Sequence, residues 1–173
     1  MRGFIFCLLL GAGTCVVAQS QHREERPEWK AFYARQKTFR IRGAAALAKE
    51  YAREKVGDCP DAKSTFDINE CLSREIGTTQ KNYEDYVRAI GGLLRLDVPG
   101  GATSETPAQV PNMGKEFDEA ELAWSNYRTA QCQTASDQYF GGTMRPGAFL
   151  GCRLNVTRRH MHELESLYGD LWY

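Results

Sequence analysis

Residues 146–171 read PGAFLGCRLNVTRRHMHELESLYGDL, and a mostly apolar set of side chains recurs every three or four positions in this stretch. The members of the set are Leu150, Leu154, Thr157, Met161, Leu164, Tyr168 and Leu171. Such spacing puts side chains on one face of an α-helix, whereas a half-buried strand would alternate at every second residue. The stretch therefore predicts a helix that packs one face against other helices.

Three segments upstream have the same period. Strong helix formers run from Pro27 to about Lys55, a capping box at Ser64 and Asp67 opens a second helix, and a third is expected over residues 115–136. The inward stripe of the second helix is Ile76, Tyr83, Val87, Ile90 and Leu94. No strand-like alternation of useful length competes with these signals. The fold class predicted is therefore all-α, an antiparallel bundle of about four helices.

The third helix has an aromatic side. Phe117, Ala120, Trp124, Tyr127 and Gln131 share one face by spacing. We expect Trp124 and Tyr127 to be structural, because large aromatic side chains on a helical stripe usually pack inside.

Two connections carry turn residues. The pair Gly141 and Gly142 predicts a turn between the third and fourth helices, since glycine adopts positive φ without a side-chain clash. Residues 97–112 hold three prolines, two glycines and few large apolar groups. This composition predicts a mobile surface loop.

The N-terminus has the parts of a secretory signal peptide. Arg2 gives a positive start, residues 4–10 are apolar, and Val16 and Ala18 form a small-residue exit. We predict cleavage after Ala18, so residues 1–18 are a signal peptide and the mature protein is exported, periplasmic or secreted. The apolar stretch is too short and interrupted for a membrane span. Lipidation of Cys15 is the alternative.

Cleavage would leave an even number of cysteines, which in an exported chain implies two disulfide bonds. Their spacing excludes the C-x-x-C pattern of redox and zinc sites. The pairs predicted are Cys59–Cys71 and Cys132–Cys152. The first can close if the chain before the second helix folds back along it, and the second crosses the hairpin of the last two helices.

Charge is balanced overall but not along the chain. The chain holds 22 Lys and Arg against 22 Asp and Glu, which argues against a nucleic-acid partner. Residues 23–55 hold ten basic and five acidic residues, and residues 57–121 hold six and thirteen. We favour the interpretation that the basic helix lies on the acidic segment of its own chain. A separate anionic partner is the alternative.

No catalytic constellation is present in the sequence. There is no G-x-S-x-G, and the cysteines are assigned to disulfides. His160 and His162 stand two apart on a helix, so they face different ways and do not favour a shared metal ion. We therefore predict no enzyme activity, no catalytic residue, no metal and no cofactor.

From Cys59 onward, over about 115 residues, the order of residues resembles the LprI-type lysozyme inhibitor family. The parts that carry the resemblance are Asn69-Glu70-Cys71, Tyr83 and Tyr86, Trp124-x-x-x-Arg128-x-x-x-Cys132, Gly141-Gly142, and Cys152 followed by Thr157 and Glu163-Leu164. The chain departs from the family pattern at Thr129, where an acidic residue is common, at His160, where arginine is usual, and in its longer 97–112 loop.

The resemblance implies an exported helical domain over residues 58–173, with residues 19–57 as a basic helical extension. It also implies a protein partner, a lysozyme-like glycoside hydrolase, and inhibition of that enzyme. Animal-type lysozymes are basic and use two cleft carboxylates, so an acidic surface would steer encounter. Gly141, Gly142 and Arg145 are the candidates for entering the cleft, unless the turn merely connects two helices.

A second hypothesis belongs to another functional class. The protein would be a non-inhibitory envelope domain that docks another protein through its basic first helix. The sequence leaves the oligomeric state and the contact residues open.

Overall fold

The computed structural model describes residues 26–100 and 111–172. These residues form four α-helices, α1 (Pro27–Val56), α2 (Thr65–Leu94), α3 (Met113–Asp137) and α4 (Arg145–Tyr168), and a short 3₁₀ helix, Gly169–Trp172. The described ranges contain no strand. The all-α prediction is confirmed. The predicted signal peptide and most of the 97–112 loop lie outside the described residues.

Local chemistry sets the helix boundaries. Ser64 accepts a hydrogen bond from the Asp67 amide, and the Asp67 carboxylate accepts one from the Ser64 amide, so the predicted capping box is present. Asn112 caps α3 through the Lys115 amide. Between α3 and α4, Gly141 has a φ of 78°, which a residue with a Cβ adopts only with strain.

The helices alternate in direction. A hydrogen bond from Asn82 to Glu50 ties α2 to α1, and Arg128 donates to Thr157 between α3 and α4. The first turns of α2 and α4 lie side by side, because a Cβ at Gly147 would come within 2.7 Å of the Asn69 side chain. The α1–α2 and α3–α4 connections therefore lie at the same end of the bundle. We call this the turn end; it comprises residues 56–68 and 139–145.

All four helices contribute to one hydrophobic core. Its buried members are Ala46, Leu47, Tyr83, Tyr86, Ile90, Phe117, Met161 and Leu164. Two of them come from α1, so the basic first helix is part of the core, although residues 19–57 were predicted to be an extension of a separate domain. The placing of a domain boundary at residue 57 stays a prediction.

Both disulfides brace the turn end. Cys59 bonds Cys71 and Cys132 bonds Cys152, which confirms the predicted pairing. The first joins the α1–α2 connection to α2, and the second joins the last turns of α3 to the first turns of α4.

The predicted inward face of α3 is wrong in part. Tyr127 is 59% exposed and Ala120 is also exposed. Arg128 and Cys132 are buried instead, next to Phe117 and Trp124 on the same face. Arg128 is buried in place of Tyr127 because its guanidinium donates hydrogen bonds to acceptors inside the bundle. These hydrogen bonds offset the free-energy cost of burying its charge.

Candidate functional site

The tryptophan and arginine of the family-like motif meet in a stack between α3 and α4. The Trp124 ring lies parallel to the His160 imidazole, with centroids 3.9 Å apart and planes at 11°. The Arg128 guanidinium carbon lies 4.6 Å from the Trp124 ring centroid, within cation–π range. His160, the histidine at an arginine position of the family pattern, thus takes part in the stack.

Glu121 lies beneath this stack and accepts hydrogen bonds from two helices. The Tyr83 hydroxyl donates to its Oε2, and His160 Nε2 lies 3.0 Å from its Oε1. Burial, together with the Glu121 carboxylate, raises the pKa of Tyr83 far above the usual range for tyrosine. Tyr83 is therefore a neutral donor at any physiological pH. The Glu121 side chain is only 11% exposed, so its carboxylate is a largely buried acceptor between the helices.

Arg128 fixes three helices in register. Its Nη1 donates to Gln80 Oε1 on α2 and to Thr157 Oγ1 on α4, both at 2.9 Å. Arg128, Thr157 and Leu164 are all buried. Burial lowers the pKa of Arg128, and the charge of Arg153 acts in the same direction. These motif residues hold the scaffold and present little surface to a partner.

A second polar centre, around Glu50 of α1, was not predicted from the sequence. Glu50 is 1% exposed and accepts hydrogen bonds from Thr79 at 2.6 Å, Asn82 at 2.8 Å and Arg158 Nε at 2.8 Å. Burial raises the pKa of this carboxyl, but these hydrogen bonds and the charge of Arg53 outweigh burial and hold its pKa below the ordinary value.

The sequence did contain a signal for this centre. Gly43, Ala46, Leu47 and Glu50 follow one helical stripe, and the first three are small or apolar. All four are buried. A carboxylate in phase with such a stripe indicates a buried acid that needs a partner.

Arg158 extends the network to the turn end. Its Nη1 lies 2.6 Å from the Asp58 carboxylate, in the connection between α1 and α2. Arg53 Nη2 lies 2.5 Å from Glu75 Oε2, which adds an ion pair between α1 and α2. Three helices and one connection therefore share a charge network that ends beside the Cys59–Cys71 disulfide.

The two histidines of α4 have separate surroundings, as their spacing predicted. His160 faces Glu121, whereas the His162 ring stacks on Tyr51 with centroids 4.9 Å apart. His162 Nε2 lies 3.1 Å from the Glu54 carboxylate. His160 therefore contributes to the contact between α4 and α3, and His162 to the contact between α4 and α1.

The predicted contact residues lie on a braced, exposed turn. Gly141 and Gly142 are exposed, and Ser136 Oγ donates to the Arg145 carbonyl at 3.2 Å across the turn. Arg145 Nη2 lies 2.6 Å from Asp137 Oδ1, and its guanidinium carbon lies 5.2 Å from the Phe140 ring centroid. Phe140 itself is 80% exposed. Sequence reasoning did not single out Phe140, because one aromatic beside a Gly-Gly turn has no periodic pattern.

Exposed apolar side chains collect at the turn end, from α1, α2 and the α3–α4 turn. They are Val56, Phe66, Ile68, Tyr139, Phe140 and Met144. We call this set the turn-end apolar surface. Grouped exposed apolar residues of this kind mark protein-binding surfaces more often than scattered ones do.

The basic charge of α1 is only partly neutralised. Arg53 pairs with Glu75 and Glu50. Within the two described ranges, no ion pair forms at Lys30, Arg35, Lys37, Arg42, Lys49 or Lys55. The helix does lie along α2, as we favoured, but ion pairs with the acidic segment account for little of that packing.

Comparison with known proteins assigns the chain to a family. No solved structure matches it at a significant level. In the part that the structure describes, no helix combines the length and apolarity that a membrane crossing needs. An uncharacterized protein of Rhizobium meliloti (strain 1021) is 25% identical over 116 residues, which cover 67% of this chain and 82% of that protein. The sequence profile of the lysozyme inhibitor LprI family matches residues 58–164. The chain belongs to the lysozyme inhibitor LprI family.

Proposed function

We propose that this protein is an exported inhibitor that binds a lysozyme-like glycoside hydrolase and blocks its cleft with the turn end of the bundle. One observation carries the assignment of the surface: in a bundle of the LprI family, exposed apolar side chains collect around a braced turn. The protein acts by binding, without chemistry of its own.

The shape of the turn suits a contact that must form without rearrangement. The Cys132–Cys152 bond and the Ser136 hydrogen bond hold its two ends, and Gly142 donates to the Tyr139 carbonyl at 2.9 Å. A pre-organised loop loses little conformational entropy when it binds, so more of the contact energy remains as affinity.

Arg145 supplies the donor that a hydrolase cleft would accept. Glycoside hydrolases cleave through a pair of carboxylates, and a guanidinium can bond a carboxylate with two parallel donors. Arg145 is partly exposed and pairs with Asp137 at the surface, where such pairs are weak. A cleft carboxylate can therefore compete for its free donors.

Phe140 is the expected anchor. Binding energy at protein interfaces is concentrated in a few aromatic and arginine side chains near the centre. Phe140 has the greatest exposed fraction among the large apolar residues of the described ranges and lies beside Arg145. The partly buried Trp124 and the buried Arg128 belong to the scaffold.

The test is an activity assay of purified lysozymes with the mature, oxidised protein. We expect inhibition, and we expect Phe140→Ala to weaken it about 30-fold, the effect of losing a central aromatic contact. Leu167→Ala is the matched control, because Leu167 is equally exposed but lies on α4 away from the turn. It should leave inhibition within about twofold, as neutral surface changes do.

Two results would contradict this proposal. Full activity of several lysozymes at low salt would remove the inhibitor function, and equal losses for the two variants would remove the turn end as its site. Deletion of α1 is no substitute for these variants, because it would strip Ala46 and Leu47 from the core and leave Arg158 without Glu50.

A further inference from the structure

The structure contains a groove between α1 and α2 with an unusual lining. Its volume is about 300 Å³, at the lower bound for ligand sites. Its lining residues are Phe39, Arg42, Ala45, Ala46, Lys49, Asp85, Arg88 and Ala89. Alanines form an apolar floor, and cationic side chains rise from both helices. The groove lies on the side walls of the bundle, away from the turn end.

Phe39 closes one end of this groove. A Cβ at Gly92 would lie 2.4 Å from the Phe39 ring, so the ring packs directly on the backbone of α2. The glycine at this position is what lets the aromatic ring come so close. The groove therefore has a fixed end wall and a floor without flexible side chains.

The charge of the lining is not balanced. Asp85 is the only acid in it, and Arg88 Nη1 already lies 2.9 Å from Asp85 Oδ1. Arg42 and Lys49 have no ion pair with the described residues. They are seven positions apart, about 10 Å along the helix, with the alanine floor between them.

We propose that this groove binds an acidic amphipathic helix of a partner protein. Two cations a heptad apart match carboxylates a heptad apart on a second helix, whereas a single phosphate would meet only one of them. The alanine floor accepts the partner's apolar stripe, as grooves that bind helices generally do. A bilayer would instead need Trp, Phe or Leu side chains that enter it, whereas alanines form the floor of this groove.

The proposal does not depend on the inhibitor function. It assigns a role to cations of α1 that form no ion pair with the described residues. The residues it uses are not part of the turn end. Loss of one activity would leave the other measurable.

The test uses the full mature chain and a fluorescent peptide of about 18 residues, long enough to form a helix. The peptide has leucine at every third or fourth position and glutamate between; a second peptide has lysine in place of glutamate. We expect anisotropy to report binding of the glutamate peptide alone at about 0.15 M salt. Arg42→Glu and Lys49→Glu should each weaken it at least fivefold, since reversal replaces attraction by repulsion (on the order of 1 kcal/mol).

Two matched controls separate the groove from general charge. Lys37→Glu makes the same change on the opposite face of α1. At about 0.15 M salt, where the Debye length is about 8 Å, it should alter binding by less than about twofold. Ala45→Gln fills the floor without changing charge and should weaken binding, whereas Ala44→Gln, on the opposite face, should not. The five substituted positions are all exposed, so the variants should fold, and circular dichroism checks this.

Four results would overturn the proposal. Binding of the lysine peptide, or equal losses for Lys37→Glu and Lys49→Glu, would show that the groove does not select the ligand. Tighter binding to phosphatidylglycerol vesicles than to the peptide would assign the surface to a membrane. A dimer that dissociates in Arg42→Glu, seen by light scattering, would assign it to a second copy of the chain.

Discussion

Glu50 is the residue at which the energetics of this bundle are most concentrated. A carboxylate removed from water costs several kcal/mol unless it is paired and hydrogen-bonded. Glu50 meets that condition through Thr79 and Asn82 on α2 and Arg158 on α4. Because the three partners come from two other helices, the carboxylate is satisfied only when α1, α2 and α4 are in register. A buried polar centre of this kind specifies one packing among several that apolar contact alone would allow.

Glu50→Gln should lower the free energy of unfolding by about 3 kcal/mol, because Arg158 loses a buried ionic partner. Urea denaturation followed by circular dichroism measures this loss. Glu84→Gln, an equal change at an exposed position of α2, should cost less than about 0.5 kcal/mol. Equal losses in the two variants would show that the Glu50 network adds nothing specific.

The effect of Glu50→Gln should depend on pH. The folded protein holds the pKa of Glu50 below its ordinary value, so the unfolded chain binds a proton first as pH falls. The stability that ionised Glu50 contributes is complete above about pH 5 and is lost as pH falls through the folded pKa. The difference between wild type and Glu50→Gln should therefore be largest at neutral pH and shrink in acid. A difference that grows in acid would contradict this assignment.

Arg145 provides a residue-scale test of the proposed cleft contact. Arg145→Glu places a negative charge beside Asp137 and, in the complex, opposite the catalytic carboxylates. We expect inhibition to weaken about tenfold or more, with a rise in dissociation rate, as for a truncated interfacial charge pair. Arg145→Lys keeps the charge but not the two-donor geometry, so its inhibition should be weaker than that of the wild type and stronger than that of Arg145→Glu. Unchanged inhibition in Arg145→Glu would leave the turn as a bare connection.

At the scale of elements, the sequence predicted most where apolar side chains recur. The stripe of α4 and the capping box of α2 are both in the structure, since period and capping are local properties. The inward face of α3 was misjudged because a tyrosine at position 127 outweighs an arginine at 128 in any hydrophobic count. Arg128 is inside because Gln80 and Thr157, distant in sequence, accept its hydrogen bonds.

The candidate site was predictable to a similar degree. The Gly-Gly turn and both disulfides follow from spacing and redox compartment. Phe66 and Phe140, which lie at the same end of the bundle, do not, because their proximity depends on α2 and α4 running in the same direction. Parallel neighbours in a bundle are a long-range outcome that no local pattern contains.

The two disulfides should have separable effects. Replacing Cys132 and Cys152 together by Ser, or Cys59 and Cys71 together by Ser, should each cost about 3 kcal/mol, because the closed loops are of similar length. Only Cys132–Cys152 holds the ends of the α3–α4 turn. Inhibition measured at a temperature where both variants stay folded should therefore fall further without Cys132–Cys152 than without Cys59–Cys71. The reverse order would move the contact surface to the α1–α2 connection.

At the scale of the whole molecule, zero net charge conceals an uneven distribution of charge along the chain. The basic residues of α1 lie along the side of the bundle, and the acidic excess belongs to residues 57–121. A molecule without net charge attracts a charged partner only through such asymmetry, and only over about a Debye length. The two proposed surfaces should therefore respond to the same charge change in opposite directions.

Lys49→Glu provides the test that involves both surfaces. It removes positive charge that repels a basic lysozyme, so association with the enzyme should quicken about twofold at low salt, with little change in dissociation. In the same variant, the acidic helical peptide should bind more weakly, because Lys49 lines the groove. Stopped-flow kinetics and anisotropy measure the two effects. Near 1 M salt, where the Debye length is about 3 Å, the change in association should vanish. If Lys49→Glu slowed association with the enzyme as well, α1 would belong to the lysozyme contact, and the separation of the turn end from the groove would be wrong.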